Sequence, residues 1–109
     1  MEIQISDKYC IITPLSTKLN EHESERINNE ISTLNDFKVG IDMEYVKDCT
    51  VDFIENISKY SNLSLFNVQS DIFSLLTFMN LDKHLNLFVS ENDFITNSHR
   101  ILNRKFSLV

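Results

Sequence analysis

Apolar and polar residues alternate at the start of the chain. Ile3 and Ile5 stand between Glu2, Gln4 and Ser6, the period of a short strand. The polar pair Asp7-Lys8 then precedes Tyr9-Cys10-Ile11-Ile12-Thr13, which reads as a second strand. So short a break predicts an antiparallel hairpin, although Asp-Lys is not a favoured turn pair. Pro14 has no amide N–H to give a ladder, so pairing should fail near it. Phe37, Val39, Ile41 and Met43, alternating with Lys38, Gly40 and Asp42, form the clearest strand of the chain. Gly40 within it signals either a bulge or a close crossing by another element. Residues 63–68 and 85–89 read as two further short strands.

The segments between change to helical spacing. Asn20 followed by Glu23 resembles a capping box, and Ile27, Ile31 and Leu34 continue an apolar stripe from it. The charged run Glu21-His22-Glu23 with Glu25 reads as a solvated face, its acids suiting the helix dipole. Thr50 is placed to cap a helix from Val51 to about Tyr60, buried through Phe53, Ile54, Ile57 and Tyr60. Ser70 is the expected cap of a helix carrying Ile72, Leu75, Leu76 and Met79, with Asn80 as its stop. Ser90 and Asp93 form another capping signature, before a last helix bearing Phe94, Ile95, Ile101 and Leu102. The order is ββαβαβαβα. Strands alternating with helices call for a mostly parallel sheet, so one α/β domain over residues 1–109 is expected, a mixed sheet of about five strands with about four helices.

Composition narrows the class. With 109 residues, 42% apolar and 24% charged, the chain has material for one core and an ordinary globular balance. No apolar run approaches the ~18 residues of a bilayer span, and residues 1–20 show no secretory pattern. A soluble, cytoplasmic protein without membrane insertion is the expectation. The net charge of −6 argues against binding a nucleic-acid backbone, which needs a positive surface. A single glycine and a single proline leave no Gly-rich phosphate loop. Cys10 and Cys49 make no disulfide framework and no metal spacing with His22, His84 or His99, so neither cofactor nor metal is expected. Cys49 reads as a small apolar filler and Cys10 as a strand-interior thiol.

A catalytic group is equally hard to place. The three histidines fall on helical or loop surface, and no serine or cysteine sits in a small-residue elbow. Asp48 and Asp52 are paired only in sequence and read as solvated. No enzyme is expected.

The stretch from Asp42 to Ile57 is more informative. A strand ends there, a loop follows, and a helix opens whose first turn has unpaired N–H groups and a positive partial charge. The segment Val39-Gly-Ile-Asp-Met-Glu-Tyr-Val-Lys resembles the strand and loop of STAS domains, the sulphate-transporter and anti-sigma-factor-antagonist family. The run from Leu63 through Asn67-Val68, the paired leucines Leu75-Leu76 and Leu81-Asp82-Lys83 resembles the same family more closely. Ser90-Glu-Asn-Asp-Phe94 resembles the start of its last helix. The resemblance follows nearly the whole chain in order, and its specificity lies in the succession of loose patterns.

The resemblance implies a STAS-like, non-enzymatic regulator. In bacterial members an Asp-Ser-Ser-Gly motif opens the second helix, and phosphorylation of its second serine by a partner-switching kinase releases a bound anti-sigma factor. This chain departs from that motif. Without gaps, Thr50, Val51, Asp52 and Phe53 take the four positions, placing the fixed charge of Asp52 at the phosphorylated one. A carboxylate carries about one charge where a phosphoserine carries ~1.5–2. A two-residue shift instead aligns Asp48, Cys49, Thr50 and Val51, making Thr50 the acceptor. The ungapped register is preferred because it keeps Ile54 and Ile57 where the family has helix leucines. Phe53 then puts a bulky ring in the glycine's place, where a partner would approach. Either residue also has a local role, Asp52 at the dipole and Thr50 as cap.

The expected interface is accordingly Asp48, Cys49, Thr50, Val51, Asp52, Phe53, Glu55 and Asn56, within the loop and helix around residues 48–60. The implied partner is an anti-sigma factor or its serine-kinase-like homologue, with control of transcription as the outcome. The alternatives are a STAS subunit binding the ATPase of an ABC-type lipid-transport system, and a scaffold without phospho-switching. Alone, the chain is expected to be a monomer or weak dimer. The C-terminal Asn103-Arg-Lys-Phe-Ser-Leu-Val109, where Arg104 and Lys105 flank an aromatic, reads as the frayed end of the last helix in preference to a partner segment.

Overall fold

A computed structural model describes residues 1–81 and 83–98. The elements follow the predicted order: β1 (Glu2–Ile5), β2 (Tyr9–Thr13), α1 (Glu21–Ser32), β3 (Lys38–Asp42), α2 (Val51–Ile57), β4 (Leu63–Phe66), α3 (Ser70–Phe78), β5 (Asn86–Phe88) and α4 (Glu91–Thr96). One sheet holds all five strands, in the order β1-β2-β3-β4-β5. The β1–β2 hairpin is antiparallel, and each later strand lies parallel to its predecessor. β2 ends at Thr13, immediately before the donor-less Pro14.

Three crossovers advancing in one direction put their helices on one face when all have the same hand. That face carries Cys10, Ile12, Val39, Ile41, Leu63, Leu65 and Leu87 against Ile27 and Ile31 of α1, Ile54 and Ile57 of α2, and Ile72 and Leu76 of α3. Register aligns Ile12, Ile41, Leu65 and Leu87 in a single row, so the strands share one apolar floor.

The second face belongs to α4. Its Phe94 packs with Ile11, Phe66 and Phe88 in a smaller cluster. The ring stacks on Phe66 with centroids 5.4 Å apart and meets Phe88 and Tyr9 edge-on at 6.1 and 6.0 Å. Gly40 lies directly beneath it: a Cβ built there would stand 2.7–2.9 Å from three ring carbons. Of the two readings of Gly40, the close crossing is the one the fold uses. Lys38 completes this face, its ammonium 4.5 Å from the Phe94 centroid and donating to the Phe94 carbonyl. Leaving water for this site lowers the Lys38 pKa below its ordinary value.

The element ends differ in detail from the sequence reading, each for a local reason. α2 stops at Ile57 rather than Tyr60, because Ser58 caps it and Tyr60 turns back to donate to the Ile57 carbonyl. α1 stops at Ser32, two residues before Leu34, where Thr33 closes it. Gln69, not Ser70, is the N-cap of α3, and it makes no side-chain cap bond. α4 ends at Thr96 with Asn97 left-handed (φ 56°), while the further expected positions Ile101 and Leu102 lie outside the described residues, as do His99 and residues 103–109.

Asparagine does the work of glycine at these ends. Asn67, Asn80 and Asn97 are the non-glycine residues with positive φ among the described residues. At Asn80 the Leu81 N–H reaches the Leu76 carbonyl and the Asn80 N–H the Thr77 carbonyl, the paired bonds of a Schellman stop.

Gly40→Ala is predicted to destabilise the protein by about 1–3 kcal/mol in urea unfolding, the usual range for overpacking. Combined with Phe94→Leu, the loss should be smaller than the sum of the two single substitutions, because the clash is gone.

Candidate functional site

The site lies at the carboxyl end of β3 and the start of α2. Asp42, the last residue of β3, is buried, and its Oδ1 accepts from the Glu44 N–H (3.0 Å) and from Asn67 Nδ2 (3.1 Å). That carboxylate joins the turn after β3 to the end of β4. The loop is then pinned from inside by fully buried Met43 and Val46, with the Met43 N–H donating to the Phe66 carbonyl at 3.0 Å. Gln69 Nε2 holds the Glu44 carbonyl from the α3 side at 2.6 Å.

The next stretch is tied to the segment leaving β2. The N–H groups of Lys47 and Asp48 both reach the Thr17 carbonyl, at 2.7 and 3.1 Å, and Leu19 donates to the Asp48 carbonyl at 3.0 Å. Lys18 and Asp48 face each other at 4.0 Å with both side chains in water, so the pair adds little stability. Thr50 then opens α2, its hydroxyl oxygen accepting from the Phe53 N–H at 3.1 Å. The loop preceding α2 is thus held in place by its backbone.

The expected site residues divide into two sets. Asp48, Thr50, Val51, Asp52, Glu55 and Asn56 are exposed, Val51 at 45%. Cys49 and Phe53 face inward. Phe53, 1% exposed, corrects the expectation of a ring standing before a partner: it fills the core beside Ile54 and Ile57. Positions 53, 54 and 57 share one side of α2, the side set against the core. Cys49 lies in the same core, and burial, with the adjacent Asp48 charge, pushes its thiol up to about 11.

One feature escaped sequence reasoning. α1 and α2 run side by side and leave a groove of about 360 Å³, lined from α1 by Glu21, Ser24, Glu25 and Asn28 and from α2 by Asp52, Phe53, Glu55, Asn56 and Lys59, with Thr50 at its end. Four carboxylates against one ammonium make it acidic. The recurrence of Glu21, Ser24, Glu25 and Asn28 at i, i+3, i+4, i+7 was the available signal, masked by reading the charged run as a wholly solvated face. His22 and His84 are exposed, and no group of three or more potential metal ligands forms among the described residues. No helix among the described residues is long and apolar enough to cross a membrane.

The architecture is the STAS fold. Among solved structures, the anti-sigma factor antagonist SpoIIAA in its unphosphorylated form is similar over 94% of this chain and 98% of that one, with a TM-score of 0.67 at 16% identity. The murine anion transporter Slc26a9 in its inward-facing state is similar over 85% of this chain, with a TM-score of 0.62 at 18% identity; the match spans 18% of the transporter. No protein-family model and no curated protein sequence matches the chain.

Thr50→Ala is predicted to cost about 1 kcal/mol through the lost cap, and Thr50→Ser to restore most of it, read from urea midpoints. The Cys49 thiol gives a pH test. Its folded value is raised, so its contribution is complete below the unfolded value near 9 and is lost as pH climbs toward about 11. Urea midpoints of the native protein should therefore fall more steeply over that interval than those of Cys49→Ala.

Proposed function

We propose that this chain is a non-enzymatic protein-interaction module that docks a partner on the open face at the start of α2. The observation that carries the reading is the exposed run of Thr50, Val51, Asp52, Glu55 and Asn56 beside the acidic α1–α2 groove, on a fold shared with an anti-sigma factor antagonist. Val51 offers an apolar contact, and the neighbouring carboxylates select against an acidic partner surface. Fixed backbone geometry keeps the cost of ordering low on binding.

The partner is an anti-sigma factor or a serine-kinase-like protein, and the outcome is control of transcription in a bacterial cytoplasm. Asp52 supplies a permanent negative charge at the position where related regulators are phosphorylated. Its charge is about half that of a phosphate group, so binding is set to one level rather than fully switched. Thr50 is the site of modification if the shifted register holds. As the N-cap, its hydroxyl accepts a bond that phosphorylation would replace with a stronger, charged one at the helix start.

Affinity co-purification from the native cell should recover a kinase-fold protein in stoichiometric amount; enrichment of a transporter ATPase instead would overturn the transcriptional reading. With that partner in hand, Asp52→Ala should weaken binding about fivefold, near 1 kcal/mol, while moving the urea midpoint little. Unchanged affinity with a lowered midpoint would reduce Asp52 to a helix-stabilising acid. Peptide mapping after incubation with ATP and the recovered partner decides between Thr50 modified and Thr50 untouched.

A further inference from the structure

The outer edge of the sheet is unusually receptive. All four residues of β1 are exposed, and β1 contains neither proline nor lysine, the residues that commonly blunt an edge. Ile3 and Ile5 are 39% and 61% exposed although they sit opposite Ile12 and Cys10, which are fully buried. Cross-strand neighbours share a face, so Ile3 and Ile5 extend the apolar floor beneath α1–α3 beyond its helical cover.

The backbone of β1 points the same way. Ser6 donates its N–H to the Tyr9 carbonyl at 2.9 Å, which makes Ser6 and Tyr9 a hydrogen-bonded pair of the hairpin. Such pairs alternate with non-bonded ones along an antiparallel ladder. With Glu2 opposite Thr13 and Gln4 opposite Ile11, those two residues bond inward to β2. Ile3 and Ile5 therefore direct their N–H and C=O groups outward. Among the described residues, the same two present both backbone groups that β2 does not use and exposed apolar side chains.

We propose that β1 pairs with β1 of a second copy of this chain, antiparallel about a two-fold axis through Gln4, joining two sheets into one. In this register Ile3 of each copy lies opposite Ile5 of the other. Both are hydrogen-bonded pairs, giving four N–H···O bonds, and all four isoleucines gather on the helical face. The two Gln4 residues meet on the opposite face as a non-bonded pair, and Glu2 stands opposite Ser6 rather than a second carboxylate. Registers moved by two residues pair only one isoleucine of each copy with its equivalent. An edge of four residues is small beside a standard interface, so the dimer is weak and concentration-dependent. This surface lies away from the start of α2, and its use does not depend on the partner proposed there.

Gln4→Cys tests the register. A non-bonded antiparallel pair brings Cα atoms to about 4.5 Å, within disulfide range. Cys10 and Cys49 are buried and do not compete. Mild oxidation of the full chain should convert Gln4→Cys to a covalent dimer on a non-reducing gel, while Glu2→Cys, equally exposed but facing Ser6, stays at least tenfold less cross-linked. Equal cross-linking of the two, or none of Gln4→Cys, overturns the proposal. Sedimentation of the unmodified protein should show a monomer–dimer equilibrium that Ile5→Pro abolishes, since proline removes an outward N–H that β2 does not use. If Ile5→Pro does not fold, the Ile3→Lys, Ile5→Lys double variant takes its place. A monomer at every concentration, or a dimer indifferent to both variants, overturns it as well.

Discussion

The whole second face of the sheet hangs on one missing side chain. Phe94 can lie against the sheet only because position 40 has no Cβ, and with the ring in place Ile11, Phe66 and Phe88 are sealed from water. A parallel sheet needs cover on both sides. The three crossover helices all lie on the first, and among the described residues the short α4 covers the second with one large side chain, Phe94. Lys38 reinforces that closure from the rim, holding the Phe94 carbonyl while its charge rests on the ring. The close contact in turn fixes β3, whose far end carries Asp42 and the loop that leads to α2.

The loop shows how a structurally quiet segment becomes a rigid surface. Its apolar residues Met43 and Val46 point into the core, its carbonyl and amide groups bond to the segments after β2 and β4, and Asp42 anchors the turn. What remains outside is a run of mostly polar side chains with Tyr45 and Val51 among them, beside a groove whose walls are mostly carboxylates. The geometry of this surface is set by backbone bonds and buried side chains. Its charge is therefore free to vary without loss of fold.

The periodicities made the architecture legible because both kinds of element bury one face. Alternation through Val39, Ile41 and Met43, and the stripe of Ile27 and Ile31, each named their own core side. The caps at Asn20, Thr50 and Ser90 were equally readable, since a side chain three residues before a free N–H is a local arrangement. Phe53 carried two readings: helical spacing placed it on the buried side of α2 with Ile54 and Ile57, motif comparison placed it before a partner, and the structure takes the first. Groove residues on α1 were missed. Glu21 and Glu25 are solvated as their charge implies, but that they border a groove depends on the packing of α1 beside α2, which no local pattern carries. The stop of α4 at Asn97 went unseen because the apolar pair Ile101 and Leu102 carried the helical pattern past it, although the same residue type had marked the stop at Asn80.

Every strand of this sheet pairs with its neighbour in the chain, so no segment has to wait for a distant one before it can dock. Each strand after β2 closes a loop containing one helix, and the entropy of closing a loop grows only slowly with its length. Assembly can consequently spread outward from any ladder that forms first, with the hairpin of β1 and β2 as the cheapest nucleus. The contact of Phe94 with Gly40 depends on the strands beneath it lying side by side, since Ile11, Phe66 and Phe88 of three other strands complete its seat.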